Sequence, residues 1–342
     1  WQCFSTELWA IWKSFSIDVR TRPHDINGTA GKDNTMKKNT ARQLAALILS
    51  AGMLLTLSAC GGSSKGTVVI YDGQYSEMQV IHSMVKQLVE QDTDLKVEIR
   101  DQMAPVNGFN ELVRGNCDIY NSYDGTLLTT FLKRDPSDVP AGQSIYDYVN
   151  EVATKEKQVH LLQKLGIDNT YAVAVPQAIA DKYNLTKVSD LIPVAGELVF
   201  GAEHDFFSEE GSMKYGPFVK FYGLKFKEGK AIDLGLKYSA VESGNIDVTV
   251  SYATDGLNKK AGLKILEDDR AFFPDYNGAL LVRDDLFGRF KDTAPNLEAT
   301  LNKLGGIISN EEMVEMTYAI DVDGKTAEET AKAFLQKEGL LK

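Results

Sequence analysis

The chain has 342 residues, of which 43% are hydrophobic and 25% are charged, and this composition excludes a collagen, a coiled-coil rod and a largely disordered chain. The net charge is −11 without a basic tract, which argues against a nucleic-acid partner because phosphate neutralisation supplies most of that affinity. Three cysteines are too few for a disulfide scaffold, and the length suffices for two domains of about 100–200 residues each.

The first part of the chain has the pattern of a secretory signal. Residues 36–43 form a short basic segment that opens with Met, residues 44–57 are mostly apolar, and small residues follow. The apolar run is shorter than the ~20 residues that span a bilayer. We therefore predict a signal peptide over 36–59 and an upstream leader over 1–35 that is not native. The alternative is a genuine cytoplasmic extension.

The end of this signal, Leu57-Ser58-Ala59-Cys60, resembles a bacterial lipobox. The resemblance implies that Cys60 is diacylated, becomes the mature N-terminus and anchors the protein on the extracytoplasmic face of the cell membrane. Residues 60–66 are rich in Gly and Ser and predict a flexible tether. The alternative is an ordinary signal peptide with a chance cysteine.

The next segments alternate between strand and helix patterns. Short apolar runs predict strands, and a face of apolar residues after Ser76 predicts a long helix that Ser76 caps. This alternation predicts a parallel sheet with right-handed crossovers, and Cys117 is expected to be a buried thiol without a partner. The strands are predicted over 67–71, 95–99 and 118–120, with a second, short helix over 109–113.

A second set of strands and helices follows, which predicts an α/β fold with two lobes and a ligand cleft between them. Strands are predicted over 171–175, ending at Pro176, and over 198–200, 246–250, 263–266 and 279–282. Helices are predicted near 177–183, 213–222 and 235–243 and over 294–305, 310–317 and 326–339, the last capped by Thr326.

The motifs that hold common cofactors and metals do not occur. No strand is followed by Gly-x-Gly-x-x-Gly, and neither a phosphate loop nor a paired-cysteine or His-Glu-x-x-His metal motif occurs, so no cofactor and no metal are predicted. His82, His160 and His204 lie far apart. His204-Asp205 could be half of a catalytic pair, but no Gly-x-Ser-x-Gly turn accompanies it. An extracellular hydrolase stays as an alternative to a binding protein.

Several segments resemble the substrate-binding lipoproteins of ABC importers for quaternary amines. The family segment Asp-Ile-Tyr-Pro-Glu-Tyr-Thr-Gly-Thr resembles Asp118 to Thr126, and its Asn-x-Tyr-Ala-Leu-Ala-Val strand resembles Asn169 to Val175. Further resemblance lies at 235–240, 252–256 and 267–277. The segments follow the family order from about residue 67 to the end of the chain.

The resemblance implies a two-lobed periplasmic-binding-protein fold of type II, cluster F-like, with two hinge crossings. Lobe 1 would comprise 67–169 plus 275–342 and lobe 2 would comprise 170–274. The implied function is capture of a quaternary ammonium compound and its delivery to ABC permease and ATPase subunits. The protein would be a monomer and not an enzyme, and a sensory binding domain is a further alternative.

The implied ligand site is a cage of aromatic rings. A quaternary ammonium group donates no hydrogen bond and keeps its charge, so ring faces bind it, at roughly 0.5–2 kcal/mol for each contact. The family cage has four tyrosines, and the matching residues here are Tyr123, Tyr171, Tyr252 and Tyr276. Tyr238 also lies in a matching segment, but on a helical face where packing is expected.

The polar part of the ligand needs other contacts. Thr126 is the best candidate to bind a carboxylate or hydroxyl group, and Asn107, Gln74 and Thr170 are further candidates. The chain departs from the family pattern at Asn121-Ser122, Asp124 and Met78. Asp124 could complement a cation directly or favour a ligand that lacks a carboxylate. Choline, glycine betaine, carnitine and ergothioneine all stay open as ligands.

Overall fold

The strands lie in two five-stranded sheets in residues 66–207, 213–233 and 236–342, the part of the chain that a computed structural model describes. The predicted leader, signal peptide and lipidation site at Cys60 lie outside these residues, as does the tether up to residue 65. Gly235, the first residue of one family segment, also lies outside them.

Sheet 1 has the strand order β2-β1-β3-β10-β4. Strands β1, β2 and β3 are parallel, as the alternation of strands and helices predicts, but β10 runs antiparallel to both β3 and β4. The predicted parallel arrangement is therefore confirmed for these three strands, whereas β10 returns from the other sheet and enters antiparallel between β3 and β4. The bounds are Thr67–Gly73 (β1), Lys96–Met103 (β2), Ile119–Tyr123 (β3), Val159–Asp168 (β4) and Asn277–Arg283 (β10).

Sheet 2 has the order β7-β6-β8-β5-β9 and is also mixed. Strands β6, β7 and β8 are parallel, whereas β5 pairs antiparallel with β8 and β9. The edge strand β7 was not predicted, because its residues are mostly exposed and form no apolar run. The bounds are Tyr171–Pro176 (β5), Val199–Glu203 (β6), Glu228–Ile232 (β7), Val248–Tyr252 (β8) and Leu263–Ile265 (β9).

The chain passes from sheet 1 to sheet 2 and back through two crossing segments, residues 169–170 and 266–276, which lie side by side. The backbone N–H of Asn169 donates to the carbonyl of Tyr276 at 3.1 Å, and the N–H of Tyr276 donates to Asp168 Oδ1 at 2.7 Å. The hydroxyl of Thr170 donates to the carbonyl of Pro274 at 2.8 Å. These bonds hold the two crossing segments against each other.

Helices cover both faces of sheet 1. One core cluster lies under α1, α10, α11 and α12, and another lies under α2 and α4. Their bounds are Ser76–Asp92 (α1), Pro105–Arg114 (α2), Asp124–Thr126 (α3, continued by a π-helical turn over Leu127–Phe131), Ile145–Lys157 (α4), Leu286–Phe290 (α9), Leu297–Leu301 (α10), Asn310–Asp321 (α11) and Ala327–Lys337 (α12).

The helices of sheet 2 pack over an aromatic core, in which Phe200, Phe206, Phe218 and Phe273 are buried against one another. Within the described ranges, no helix of either sheet is both long and apolar enough to cross a bilayer. The bounds are Gln177–Tyr183 (α5), Tyr215–Tyr222 (α6), Lys237–Glu242 (α7) and Gly256–Lys260 (α8).

Two predicted details of the helices have different outcomes. Thr326 caps α12 and forms a capping box with Glu329, as predicted. The predicted cap at Ser76 is wrong: α1 begins at Ser76 itself, and the Ser76 hydroxyl donates to Asp321 on α11 at 2.7 Å.

Cys117 is buried and free, as predicted, and burial raises the pKa of its thiol to about 11.

The two phenylalanines of α6 provide a test of the sheet 2 core. Phe218 is fully buried, whereas Phe221, on the same helix, is 48% exposed. We expect Phe218→Ala to lower the free energy of unfolding by about 3–5 kcal/mol, because it leaves a cavity in the core. Phe221→Ala, the matched control, should cost roughly 1 kcal/mol. Urea unfolding followed by far-UV circular dichroism measures both, and equal losses would contradict this description of the core.

Candidate ligand-binding site

Tyr123 and Tyr276 form the first of two aromatic pairs. Strands β3 and β10 pair with Gly278 opposite Tyr123, so Tyr276, two residues earlier, lies diagonally across from Tyr123. Their ring centroids are 5.3 Å apart and the rings are stacked. Gly125 lies against the Tyr276 ring, and a Cβ at this position would come within 2.2 Å of it. Close packing therefore holds the Tyr276 ring against α3, which directly follows β3.

Tyr171 and Tyr252 form the second pair, on sheet 2. They are direct partners in the antiparallel pairing of β5 and β8, and their ring centroids are 5.4 Å apart. Tyr171 also contacts Phe206 and Phe273 of the aromatic core, each with 5.6 Å between centroids. Tyr252 is 39% exposed. The second pair is thus anchored in the core on one side and open on the other.

The two pairs meet where the chain crosses between the sheets. Tyr171 begins the strand after the first crossing segment, and Tyr276 ends the second crossing segment. Burial raises the pKa of Tyr276, and the nearby phenol of Tyr171 raises it further. The structure therefore places the four predicted tyrosines in two stacked pairs, one beside each sheet, at the ends of the crossing segments.

Thr126 lies next to this cluster. Its hydroxyl is 2.5 Å from the phenol oxygen of Tyr276, so the two groups share a hydrogen bond. Either oxygen has further capacity to bond a carboxylate or hydroxyl group of a ligand. Of the predicted polar residues, Thr126 is the one that the structure joins directly to one of the four rings.

Asp124 is held by hydrogen bonds within the protein. Its side chain is buried, and its carboxylate accepts hydrogen bonds from the backbone N–H and the side-chain amide of Asn277 at 2.9 and 2.8 Å. The N–H of Gly125 donates to it as well, at 2.8 Å. Burial raises the pKa of this carboxyl to about 6. Asp124 thus ties the end of β3 to the start of β10.

The other predicted polar residues lie at the edge of the arrangement. Gln74 and Asn107 are exposed, on segments that follow the carboxyl ends of β1 and β2. Thr170 donates its hydroxyl proton to Pro274 within the crossing. The remaining departures from the family pattern, Met78, Asn121 and Ser122, are buried. These three are therefore packing positions of sheet 1 and α1.

Glu77 is a residue of the site that sequence reasoning missed. It lies in the first turn of α1, is 5% exposed, and accepts hydrogen bonds from the hydroxyls of Tyr123 and Thr254. Burial raises the pKa of Glu77, the two hydroxyls lower it, and the charge of Asp255 raises it. The position of Glu77 in the sequence could have identified it, because it follows the carboxyl end of the parallel strand β1, and ligands bind at such strand ends.

A buried ion pair supports the second tyrosine pair and was also missed. Lys237 is 1% exposed, and its Nζ lies 2.6 Å from Glu203 Oε1 and 5.7 Å from the ring centroid of Tyr252. The Tyr238 phenol donates to Asp255, and Lys237 lies over the Tyr238 ring. Tyr238 is thus held by groups of the protein, which agrees with the packing role expected for it.

The histidines do not form a catalytic pair with their sequence neighbours. His204 Nε2 is 3.5 Å from Asp233 Oδ1, while Asp205 pairs with Lys214 instead. His82 is buried, with Nδ1 3.0 Å from Asp72 and Nε2 accepting the N–H of Asn121. In the ranges that the structure describes, no group of three or more His, Cys, Asp or Glu residues could hold a metal ion.

The two mixed sheets are covered by helices and are joined by two adjacent crossing segments, beside which the two tyrosine pairs lie. This is the architecture of a substrate-binding protein. A family model described as the substrate-binding domain of ABC-type glycine betaine transport systems matches residues 66–337. The chain therefore belongs to this family.

Individual relatives agree with this assignment. The carnitine transport binding protein OpuCC of Listeria monocytogenes is 34% identical over 309 residues, which are 88% of this chain and 97% of the relative. The ergothioneine transport permease/ergothioneine binding protein EgtU of Helicobacter pylori is 29% identical over 92% of this chain and 55% of its own length. A crystal structure of a glycine betaine/carnitine/choline ABC transporter has a TM-score of 0.73 and 32% identity, covering 80% of this chain and 99% of that one.

The comparisons confirm the predicted fold and the substrate-binding role. The α/β fold with two mixed sheets is that of type II periplasmic binding proteins. The protein is an extracytoplasmic substrate-binding protein of an ABC importer, whose partners are a small ligand and the permease and ATPase subunits. The family is a transport family and not an enzyme family.

Gly125 provides a test of how tightly the first tyrosine pair is packed. We expect Gly125→Ala to lower the free energy of unfolding by about 1–3 kcal/mol, because the added methyl group overlaps the Tyr276 ring. Gly288→Ala, on α9, is the control, since its added methyl group meets open space and should stabilise the helix by up to about 1 kcal/mol. Urea unfolding measures both variants, and an unchanged stability of Gly125→Ala would contradict the close contact.

Proposed function

We propose that this protein captures a quaternary ammonium compound, such as choline, glycine betaine or carnitine, in a cage of four tyrosines and delivers it to an ABC importer. The observation that carries the proposal is the presence of two stacked tyrosine pairs, Tyr123 with Tyr276 and Tyr171 with Tyr252, at the ends of the segments that join the two sheets. The names of relatives that bind carnitine or ergothioneine support the same class, so ergothioneine or another trimethylammonium betaine is the alternative ligand.

The chemistry of the ligand explains why this cluster suits it. A trimethylammonium group spreads its charge over methyl groups, which pack against ring faces and are attracted by the π electrons. Tyrosine has few side-chain torsions, so little conformational entropy is lost when its ring is held in place. A site made from both sheets binds such a ligand best when the two sheets approach each other.

We assign the remaining site residues by their hydrogen bonds. Thr126 binds the carboxylate or hydroxyl group of the ligand, because its hydroxyl already lies beside the cage ring of Tyr276. Gln74 and Asn107, which are exposed, would reach the ligand from the edge of sheet 1. Asp124 positions Asn277, because three donors of the protein bond its carboxylate and two of them belong to Asn277.

The two sheets are the centres of the two proposed lobes. Lobe 1 comprises 67–169 plus 275–342, and lobe 2 comprises 170–274, so that both hinge segments coincide with the crossing segments. Closure about these hinges would bring the two tyrosine pairs onto opposite sides of the ligand. Contacts already join the proposed lobes, because Thr254 bonds Glu77 and Lys259 pairs with Glu315.

The membrane attachment is a further part of the proposal and rests on the sequence alone. Residues 36–59 would be removed as a signal peptide, Cys60 would carry a diacylglyceryl anchor, and the mature protein would act as a monomer on the outer face of the cell membrane. Two acyl chains hold a protein stably on a bilayer, whereas one chain holds it only marginally.

Ligand titration tests the cage. Calorimetry of residues 66–342 with choline, glycine betaine, carnitine and ergothioneine should find a ligand that binds more tightly than about millimolar. Tyr171→Ala or Tyr276→Ala should weaken that binding at least about tenfold, because each removes a cation–π contact. If none of the compounds binds, the proposed function is wrong.

A control variant separates cage contacts from general destabilisation. Tyr148 is a half-buried tyrosine of α4 and has no place in the proposed cage. Tyr148→Ala should keep the affinity of the wild type. Equal affinities for the Tyr171 and Tyr148 variants would assign a purely structural role to Tyr171.

Fractionation of cells tests the anchor. The wild-type protein should sediment with membranes, and Cys60→Ser should release it into the soluble fraction, because no acyl chain can be attached. Cys117→Ser is the control, since Cys117 is buried in sheet 1 and should not affect the distribution. Retention of Cys60→Ser on membranes would contradict lipidation at this residue.

A further inference from the structure

The buried carboxylate of Glu77 lies at the junction of the two sheets. It belongs to the first turn of α1, at the edge of sheet 1 that also carries Tyr123. One of its oxygens accepts the phenol proton of Tyr123 and the other accepts the hydroxyl proton of Thr254, which follows β8 of sheet 2. Thr254 is itself held by α11, because the Thr317 hydroxyl donates to the Thr254 carbonyl at 3.0 Å. The carboxylate is therefore held at the hydroxyl end of Tyr123, one of the four tyrosines of the proposed cage.

The hydrogen-bond partners of Glu77 are neutral. They are the hydroxyls of Tyr123 and Thr254, and the largest effect of a charge on the pKa of Glu77 comes from another carboxylate, Asp255. A buried carboxylate without a positive partner is costly when ionised, and it keeps a proton more readily than an exposed one. Thr254 can accommodate that proton, since a hydroxyl can accept as well as donate a hydrogen bond.

We propose, on the basis of the cage function above, that Glu77 is a specificity-determining residue that supplies the counter-charge for the permanent cation of the ligand. At a pH below the pKa of Glu77, its carboxyl group is protonated in the free protein. When the cation enters the cage, the O–H bond of the Glu77 carboxyl breaks, its electron pair stays on the oxygen, and the proton passes to solvent. No other bond forms or breaks.

Two effects of Glu77 favour a cationic ligand over a neutral one of the same shape. The first is direct attraction, which is strong in a buried site of low dielectric. The second acts through Tyr123, because a phenol that donates to a carboxylate has a more electron-rich ring, and such a ring attracts a cation more strongly. Burial raises the pKa of Glu77, which widens the pH range in which it carries a proton before the ligand binds.

Other titratable groups face the same region and must be separated from Glu77. Burial raises the pKa of Asp321, on α11, whose carboxylate accepts the Ser76 hydroxyl, and burial raises that of Asp124 to about 6. Tyr123 on β3 and Asp255 before α8 act directly on Glu77. Tyr276 stacks on Tyr123, and the Asp72–His82 pair lies between β1 and α1.

Calorimetry in two buffers with different enthalpies of ionisation tests the proposal, because the difference between the measured heats gives the number of protons released. Choline and glycine betaine are suitable probes, since neither titrates in the range where carboxyl groups and histidine do. Below the pKa of Glu77 in the free protein, the wild type should release a proton on binding and its affinity should rise with pH; above that pKa the release should fall to zero and the affinity should stay constant.

Variants identify the source of the proton. Glu77→Gln should release no proton, bind the probe roughly tenfold more weakly, and lose the pH dependence. Thr254→Val should keep the release but move it to higher pH, because one hydrogen bond that lowers the pKa of Glu77 is lost. Asp321→Asn is the matched control and should release as many protons as the wild type.

The outcomes separate this proposal from the cage function. If the wild type binds with the expected dependence on Tyr171 but releases no proton, or if Glu77→Gln releases as many protons as the wild type, the counter-charge proposal is wrong and the cage stands. If neither probe binds to the wild type while carnitine does, the cage stands and carnitine becomes the probe; its binding without release of a proton would contradict the counter-charge proposal. If no compound binds, both proposals are wrong.

Discussion

The pairing register of the strands beside the two crossings is the constraint on which the ligand site depends. Tyr171 lies opposite Tyr252, and Gly278 lies opposite Tyr123, which places Tyr276 across from Tyr123. A shift of one residue in either pairing would turn a tyrosine to the other face of its sheet. The hydrogen bonds between residues 168–170 and 274–276 hold the crossing segments together, so they also keep the two pairs in position.

Buried polar groups stabilise the rings from behind. Asp124 is bonded by three donors at the end of β3, and Lys237 pairs with Glu203 beneath Tyr252. Glu77 is the exception, because its hydrogen-bond partners are neutral hydroxyls and the charge with the largest effect on its pKa is that of another carboxylate, Asp255. A site in which neutral tyrosine rings surround the ligand, and a carboxylate without a positive partner bonds one of these tyrosines, is suited to a ligand that carries a permanent positive charge.

The sequence predicted most elements because their patterns are local. The run Tyr171 to Val175 is apolar, β-branched in part and followed by Pro176, and β5 occupies Tyr171–Pro176. The edge strand β7 has no such run and was missed, and Ser76 was assigned a cap that α1 does not have. The four tyrosines were found through a resemblance of motifs, whereas spacing alone could not select them among the 14 tyrosines of the chain.

The sequence by itself determined the α/β class, the family and most of the order of the elements, and it singled out the four tyrosines as candidates, because each of these depends on residues that are close in the chain. Tertiary structure decided the direction of β10, the commitment of Asp124 to Asn277 and the contact of Glu77 with Thr254. The two residues of each contact are separated by 153 and 177 positions. Such contacts form only when the two sheets and their crossing segments are packed together, and no local pattern records them.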